Sequence, residues 1–263
     1  MPSFYTTIGP LQVQTFTLVL ALAIAAGAGW AVHRLAGRPG PVVDACLGGL
    51  IGGVIGARLF HVLLHWTYFV YNSHEILNLR AGGLDWHGAL IGGLAGLYLA
   101  AHWRGVDFPR LLDVLTPALA LLALAGWWGC RAANCGFGVE VDTLANHPAL
   151  LVAELRNIYG SLAPRYNTQL FGLVLGVLAF IVTGVLFWRN WLPFRRFWLI
   201  LVLLSAGMFA IGFFRADYAI IIGGLRADQW LDLGVLVFSV ALALLSKDLA
   251  PREKESSKDA GDS

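Results

Sequence analysis

Long apolar stretches dominate the chain and are separated by short polar segments. Seven of them approach the length of about 20 apolar residues that a helix needs to cross the hydrocarbon core of a bilayer. They lie near residues 11–32, 43–65, 86–103, 111–130, 169–188, 197–214 and 229–246. The pattern predicts an all-α integral membrane protein in which residues 1–246 form one domain of seven transmembrane helices. Residues 247–263 are mostly polar and charged, and we expect them to form a disordered tail.

The composition supports a membrane protein and argues against a soluble one. Hydrophobic residues make up 58% of the 263 residues and charged residues only 13%, with a mean hydropathy of +0.70. Soluble domains average about 45–50% apolar and about 25% charged residues. The formal net charge of +2 comes from 18 basic and 16 acidic residues, so the sequence shows no basic surface of the kind that binds nucleic acid.

The distribution of lysine and arginine predicts the orientation in the membrane, because cytoplasmic loops carry an excess of both. With the N-terminus outside, eleven of the 18 basic residues lie inside and six outside, while Arg58 lies within a span. We therefore expect the N-terminus outside and the C-terminus, with the tail 247–263, in the cytoplasm. The longest outer segment, about residues 131–168, should form a small extracytoplasmic lobe.

Glycines recur at intervals of about four residues in the second and third predicted helices. Such spacing within an apolar span indicates close helix packing, because small residues let two backbones approach each other. A phosphate-binding loop is the weaker interpretation, because no strand precedes either run. The glycines are Gly48, Gly49, Gly52, Gly53 and Gly56 in the second helix, and Gly88, Gly92, Gly93 and Gly96 in the third.

Ionisable residues gather near the outer ends of several predicted helices. Charged groups within a span are costly, so they usually face a partner or a cavity. The ionisable residues at this level are Arg58, His61 and His65 on one face of the second helix, His87 at the start of the third, Arg131 and Arg215 at the ends of the fourth and sixth, and Asp228 and Asp232 at the start of the seventh. This pattern predicts a functional site at one outward-facing level.

Other interpretations of these residues stay open. Arg58 is either an interfacial anchor or a binding group for a phosphate or carboxylate, which its fork of donors suits. His61 and His65 could ligate a metal, but their helix has no acidic residue nearby, and we expect no metal site. Cys130 and Cys135 are too few and too closely spaced to define a disulfide framework, so the spacing allows either packing or a bridge.

Several sequence blocks resemble, in order, the family of bacterial prolipoprotein diacylglyceryl transferases. Residues 82–92, Gly-Gly-Leu-Asp-Trp-His-Gly-Ala-Leu-Ile-Gly, are similar to the family's Gly-Gly pair followed by a His-Gly helix start. Residues 56–59 resemble its Gly-Ala-Arg-Leu turn, and residues 126–138 resemble its signature at the end of the fourth helix. The blocks at residues 168–171, 213–217 and 228–230 resemble the family's later motifs. Together the blocks cover about residues 10–246.

This resemblance implies an enzyme of the bacterial cytoplasmic (inner) membrane. Its activity would transfer diacylglyceryl from phosphatidylglycerol to the lipobox cysteine of a prolipoprotein signal peptide, with release of glycerol phosphate. His87 would be the catalytic base for the thiol. The substrate-binding residues would be Arg58, Arg131, Asn134, Gln169 and Arg215. The reaction requires no metal and no diffusible cofactor.

The chain departs from the family pattern where that pattern is charged or polar. Trp127 and Met208 stand where the family has Arg, Cys130 where it has Asn, Gly212 where it has Glu and Phe16 where it has Tyr. Losing one preorganised charged contact to a transition state typically costs about 10²–10³ in rate. Arg131, one helical turn after Trp127, is a candidate substitute.

Three hypotheses follow from the motifs that are kept and the charges that are lost. The first is an active, divergent transferase that uses His87 with a rearranged set of arginines. The second is a catalytically silent relative that binds lipid or a partner protein. The third is another lipid transferase on the same scaffold, because a fold does not fix a function.

Overall fold

The computed structural model describes residues 4–8, 11–79 and 82–246 and is mostly helical. Short 3₁₀ helices occupy Ser73–Glu75 and Leu144–Asn146. Within the described residues the α-helices are α1 (Thr15–Arg34), α2 (Pro39–Leu64), α3 (Trp66–Tyr71), α4 (Trp86–Trp103), α5 (Phe108–Ala133), α6 (Thr168–Trp188), α7 (Arg196–Gly212) and α8 (Ala227–Leu245). The seven long helices match the seven predicted helical segments to within a few residues. Residues 247–263, for which the sequence predicts a tail, lie outside the described residues.

Three short antiparallel hairpins accompany the helices, so the prediction of an all-α fold holds only for the bundle. The strands are β1 (Tyr5–Ile8) with β2 (Leu11–Gln14), β3 (Val152–Arg156) with β4 (Leu162–Tyr166), and β5 (Ile221–Ile222) with β6 (Leu225–Arg226). The predicted start of the first helix at residue 11 is wrong, because α1 begins at Thr15. Residues 11–14 read Leu-Gln-Val-Gln, and this alternation with a period of two is typical of a strand.

Five of the helices, α1, α2, α5, α6 and α8, are long and apolar enough to cross a membrane. Helix α7 is apolar but has only 17 residues. Helix α4 has 18 residues and carries histidine and tryptophan at both ends, which lowers its mean hydropathy. Large apolar side chains such as Leu22, Leu63 and Leu99 point outward and are more than half exposed. The chain is therefore a multi-pass helical membrane protein.

The glycine stripes bring α2 and α4 into backbone contact, and the close packing that the sequence predicts for these glycines is confirmed. A Cβ atom built on Gly52 would lie 2.2 Å from the carbonyl oxygen of Gly92. One built on Gly56 would lie 2.3 Å from the Gly88 oxygen, and one on Gly48 would lie 2.8 Å from the Gly96 oxygen. As the position rises along α2 it falls along α4, so the two helices are antiparallel. Only glycine permits this separation along their shared face.

The remaining helices pack around α5 and α7. Helix α5 contacts α1, α6 and α7, and α7 also contacts α8. One apolar cluster includes Leu111, Phe197 and Leu201. A second includes Trp127 and Leu204 and joins α5, α6 and α7.

Contacts between helix termini define two ends of the bundle. At the first, which we call the His87 end, the Asp85 N–H donates to the Ala57 carbonyl and the His87 ring contacts Asp232. At the second, the Arg196 end, Arg196 of α7 pairs with Asp113 of α5. The segment between α5 and α6, with its β3–β4 hairpin, leaves the bundle at the His87 end, where Gly138 bridges to Arg215.

We predict that Gly52→Ala lowers the free energy of unfolding by about 1–3 kcal/mol, the usual cost of overpacking a close-packed contact. The added methyl group would collide with the Gly92 carbonyl. Gly29→Ala in α1 is the matched control, because nothing lies within 4 Å of its Cβ position. Denaturant titration in detergent measures both variants. Equal stability of the two would contradict the close contact between α2 and α4.

Candidate active site

His87 occupies the first turn of α4 and points into the bundle. Asp85 caps the helix, and its carboxylate accepts a hydrogen bond of 3.0 Å from the Gly88 N–H. Such a cap satisfies a backbone donor that the first turn would otherwise leave free. The cap fixes the start of the helix, so the orientation of His87 is fixed with it. No part of the His87 residue is exposed to solvent.

The His87 imidazole lies between two carboxylates. Its Nε2 atom is 3.0 Å from Oδ1 of Asp232, within hydrogen-bond distance. Its Nδ1 atom is 3.4 Å from Oδ1 of Asp85, but no described residue forms a hydrogen bond with it. When Nε2–H donates to an ionised Asp232, Nδ1 carries a free lone pair. The pair thereby presents a buried nitrogen that can accept a proton.

Asp232 is the site residue that sequence reasoning did not select. It lies in α8, 145 residues from its partner, and is 3% exposed. The sequence did place Asp228 and Asp232 at the same level as His87, four residues apart at the start of a helix. A carboxylate one turn inside an apolar helix was the available signal, because such groups usually have a partner.

Arg58 holds the loop that leads into α4. Its guanidinium donates hydrogen bonds to four backbone carbonyl oxygens, those of Glu75, Ile76, Gly82 and Gly83, at 2.6–3.0 Å. Gly82 and Gly83 have positive φ angles, +80° and +75°, which residues with a side chain rarely adopt. The Gly-Gly pair thus turns two carbonyls towards Arg58.

Arg215 belongs to a compact cluster with two aspartates and a second arginine. Its Nε is 2.8 Å from Oδ1 of Asp217, and its Nη1 is 3.1 Å from Oδ2 of Asp228. Arg226 binds the same Asp228 through Nε at 2.9 Å. Burial opposes the charge of Arg215, but Asp217 and then Asp228 and Asp232 raise its pKa above its ordinary value. Two positive and two negative charges therefore balance beside the His87–Asp232 pair.

The junction of α5 and α6 holds the other three candidates from the sequence. Asn134 ends α5 in the left-handed conformation, at φ +56°. The Gln169 side chain donates a hydrogen bond of 2.9 Å to the Cys135 carbonyl, and the structure forms a Cys130–Cys135 disulfide at this turn. Among the described residues, Arg131 donates one hydrogen bond, a long one of 3.4 Å to the Asn167 side chain. Arg131 is therefore the least committed of the three candidate arginines.

The structure links some candidates directly and others through the backbone. Arg215 reaches the His87–Asp232 pair through Asp228 on α8, and Arg58 reaches it through the Gly82–Gly83 turn. Arg131 connects to α6 instead. The His61 and His65 rings stack 4.3 Å apart. In residues 4–8, 11–79 and 82–246, no three metal-ligating side chains group together.

Three departures from the family pattern lie in one apolar cluster. Trp127, Met208 and Cys130 all belong to the second cluster of the core. Trp127 is 8% exposed and packs on Gly172, whose Cβ position would fall 1.9 Å from the indole. The space for an indole therefore depends on a glycine in the neighbouring helix. Where the resemblance implies arginine, at Trp127 and Met208, the structure has apolar packing.

The bundle thus defines a helical membrane protein with a buried histidine–carboxylate pair beside several arginines. Residues 3–245 match the profile of the prolipoprotein diacylglyceryl transferase family, and the chain belongs to that family. It is similar to proteins named phosphatidylglycerol–prolipoprotein diacylglyceryl transferase in Bacillus cereus (strain 03BB102) and Bacillus thuringiensis subsp. konkukian (strain 97-27). Each is 26% identical over 275 residues, which covers 95% of this chain and 94% of the relative.

We predict that Arg58→Lys loosens the loop before α4, because one ammonium group cannot reach four carbonyls placed around a planar guanidinium. Hydrogen exchange in peptides covering residues 73–85 should become roughly tenfold faster or more, since hydrogen bonds to a charged donor are lost. Arg156→Lys is the control, because Arg156 bonds one exposed carbonyl, that of Gly160. Unchanged exchange in Arg58→Lys would remove Arg58 as the anchor of this loop.

Proposed function

We propose that the chain transfers the diacylglyceryl group of phosphatidylglycerol to the cysteine thiol of a prolipoprotein. The proposal rests on family membership and on one observation, the buried His87–Asp232 pair whose Nδ1 forms no hydrogen bond with any described residue. A cysteine thiol has a pKa near 8.5 and needs a base to become a nucleophile at neutral pH. We propose His87 as that base, with Asp232 as its partner.

The reaction can be written with every bond balanced. Nδ1 of His87 takes the proton of the lipobox cysteine, and the sulfur attacks the glyceryl carbon that bears the phosphate ester. A carbon–sulfur bond forms, the carbon–oxygen bond to the phosphate breaks, and glycerol phosphate leaves with that electron pair. Asp232 stabilises the imidazolium that results. No metal or diffusible cofactor takes part.

Arg131 is our candidate for the group that binds the lipid phosphate. Its guanidinium is half-buried and makes fewer and longer hydrogen bonds to described residues than those of Arg58 and Arg215. A phosphate can therefore bind without breaking strong internal hydrogen bonds. An apolar groove of about 400 Å³ lies between α1, α5 and α6 and is lined by Val19, Leu22, Leu124, Trp128 and Leu173, among others. Trp128 is one turn before Arg131, so acyl chains in this groove would place the phosphate near that arginine.

The contacts of the other candidates favour positioning roles. Arg58 shapes the Gly82–Gly83 turn, and Gln169 holds the Cys135 carbonyl. Arg215 is held by Asp217 and Asp228, and its charge acts on the site through that cluster. Direct binding of substrate by Arg58, Asn134, Gln169 or Arg215 stays a prediction from the sequence.

We also propose seven membrane crossings, with the N-terminus outside and the C-terminus in the cytoplasm of a bacterium. The antiparallel contact with α2 makes α4 part of the same bundle, and α7 packs against α5, α6 and α8. At 1.5 Å per residue, the 17 residues of α7 span about 25 Å. The distribution of lysine and arginine supports an orientation with the His87 end outside, where prolipoproteins would be met.

We predict that His87→Gln lowers turnover by on the order of 10²–10⁴, the range for removal of a general base. Asp232→Asn should lower it by about 10² or more, because the ring loses the carboxylate that fixes its tautomer. The assay measures release of glycerol phosphate from phosphatidylglycerol and a lipobox peptide by the purified protein in detergent.

Exposed residues at the same end provide the controls. His74→Gln and Asp142→Asn remove the same groups from side chains that are 78% and 69% exposed, and they should keep activity. Normal turnover in His87→Gln would refute the role of His87 as the base.

We predict that Arg131→Ala abolishes the remaining activity, a loss on the order of 10²–10³, because no charge stands at Trp127 or Met208. Binding of phosphatidylglycerol should weaken in parallel, measured by lipid retention in native mass spectrometry. Arg156→Ala, in the exposed hairpin, is the control. Unchanged turnover would exclude Arg131 from the mechanism.

A catalytically silent, lipid-binding relative is the second candidate function. The observation that favours it is the complete burial of His87 together with the commitment of Arg58 and Arg215 to protein atoms. Binding of phosphatidylglycerol without release of glycerol phosphate, equal in the wild type and His87→Gln, would support this candidate over the transferase.

A further inference from the structure

A second apolar groove lies at the Arg196 end, away from the candidate active site. It runs between the start of α7 and the end of α8 and has a volume of about 170 Å³. Its lining is aliphatic apart from one charged residue, Arg195, and consists of Leu192, Arg195, Leu199, Val202, Val240, Ala243 and Leu244. Ala243 is 7% exposed, whereas Val240 and Leu244 are 40% and 69% exposed. The groove therefore has a small residue at its floor and opens to the surroundings of the bundle.

The two neighbouring arginines at this end differ in their contacts. Arg196 is buried and donates hydrogen bonds to Asp113, Asn190 and the Trp191 carbonyl. The Arg195 side chain makes no hydrogen bond or ion pair with any residue in the described part of the chain. Arg195 is half-buried and lines the groove. It is thus a charge beside an apolar groove, without a protein counter-ion among the described residues.

The turn that carries Arg195 is held in place by the other arginine. The Phe194 N–H donates to Asp113 at 2.9 Å, and Arg196 pairs with the same carboxylate at 3.1 Å. Asn190, Leu192 and Phe194 have positive φ angles of 51°, 50° and 65°. Residues other than glycine seldom adopt this backbone conformation unless surrounding contacts impose it. Leu192 and Arg195 are therefore presented on a turn that is anchored to α5.

We propose that this groove binds one acyl chain of an anionic phospholipid, whose phosphate pairs with Arg195. Its leaflet is the one opposite the candidate active site. Arginines near helix ends reach the lipid headgroups, while their surroundings contact the acyl chains. Basic pockets between helices at the membrane surface are typical binding sites for anionic headgroups. The N-terminus of α7, at the same rim, adds a partial positive charge. The site is independent of the proposed transferase activity.

Site-resolved photocrosslinking tests this site separately from the donor lipid. The full chain is placed in phosphatidylcholine nanodiscs with a trace of phosphatidic acid that carries a diazirine on its acyl chain. Peptide mass spectrometry then maps the adducts. We expect adducts at residues 192–202 and 240–244, and Arg195→Gln should reduce them about fivefold, the effect of losing one favourable charge near a lipid surface.

Two further variants make the result decisive. Arg110→Gln removes the same charge at the same end of the bundle, away from the groove, and should leave the adducts unchanged. Ala243→Leu fills the floor of the groove and should reduce them, while labelling of the groove at residues 19–23 and 121–128 stays constant in a folded protein. Equal labelling by a phosphatidylcholine probe, or no loss in Arg195→Gln, would show ordinary lipid contact and overturn the proposal.

Discussion

The backbone contact between α2 and α4 is the constraint on which the candidate site depends. Glycines oppose each other from Gly48 to Gly56 of α2 and from Gly96 to Gly88 of α4, and beyond them the Asp85 backbone nitrogen lies 3.1 Å from the Ala57 carbonyl oxygen. Arg58, one residue further along α2, then lies next to the loop before α4 and donates hydrogen bonds to its carbonyl oxygens. A wider separation would release that loop and the cap at Asp85. The inward orientation of His87 therefore depends on the facing glycines of α2 and α4, which let the two backbones approach each other.

The sequence predicts the positions of the helices better than it predicts which side chains pair across the fold. Helix positions follow from apolar length, and close packing of α2 and α4 follows from glycine spacing, since both signals are local, but the pairing of these two helices with each other comes from the structure. The strand at Leu11–Gln14 was missed because an adjoining apolar run extended the first helix over it. The His87–Asp232 pair joins residues 145 positions apart, and no local pattern encodes such a pairing. The hydrogen bonds from Arg58 to backbone carbonyls are equally unpredictable, because every residue has a carbonyl oxygen and the sequence does not show which ones an arginine will contact.

The departures from the family pattern form a coherent set. Trp127, Met208 and Cys130 belong to the apolar cluster of α5, α6 and α7, and Gly172 makes room for the indole. None of these three side chains carries a charge, so this part of the core contains no charge at these positions that would need a buried partner. The polar chemistry of this chain is instead concentrated between α4 and α8, where histidine and aspartate meet.

The disulfide at the end of α5 has a consequence for the proposed reaction, in which the acceptor is a cysteine thiol. The chain has three cysteines, and two of them are joined as Cys130–Cys135 near the candidate phosphate-binding arginine. The third, Cys46, lies twelve residues before Arg58 on α2, about 18 Å further down the helix axis. Neither arrangement leaves a free sulfur of its own beside the base. Under the proposed reaction, the chain would therefore offer no thiol of its own as an alternative acceptor of lipid.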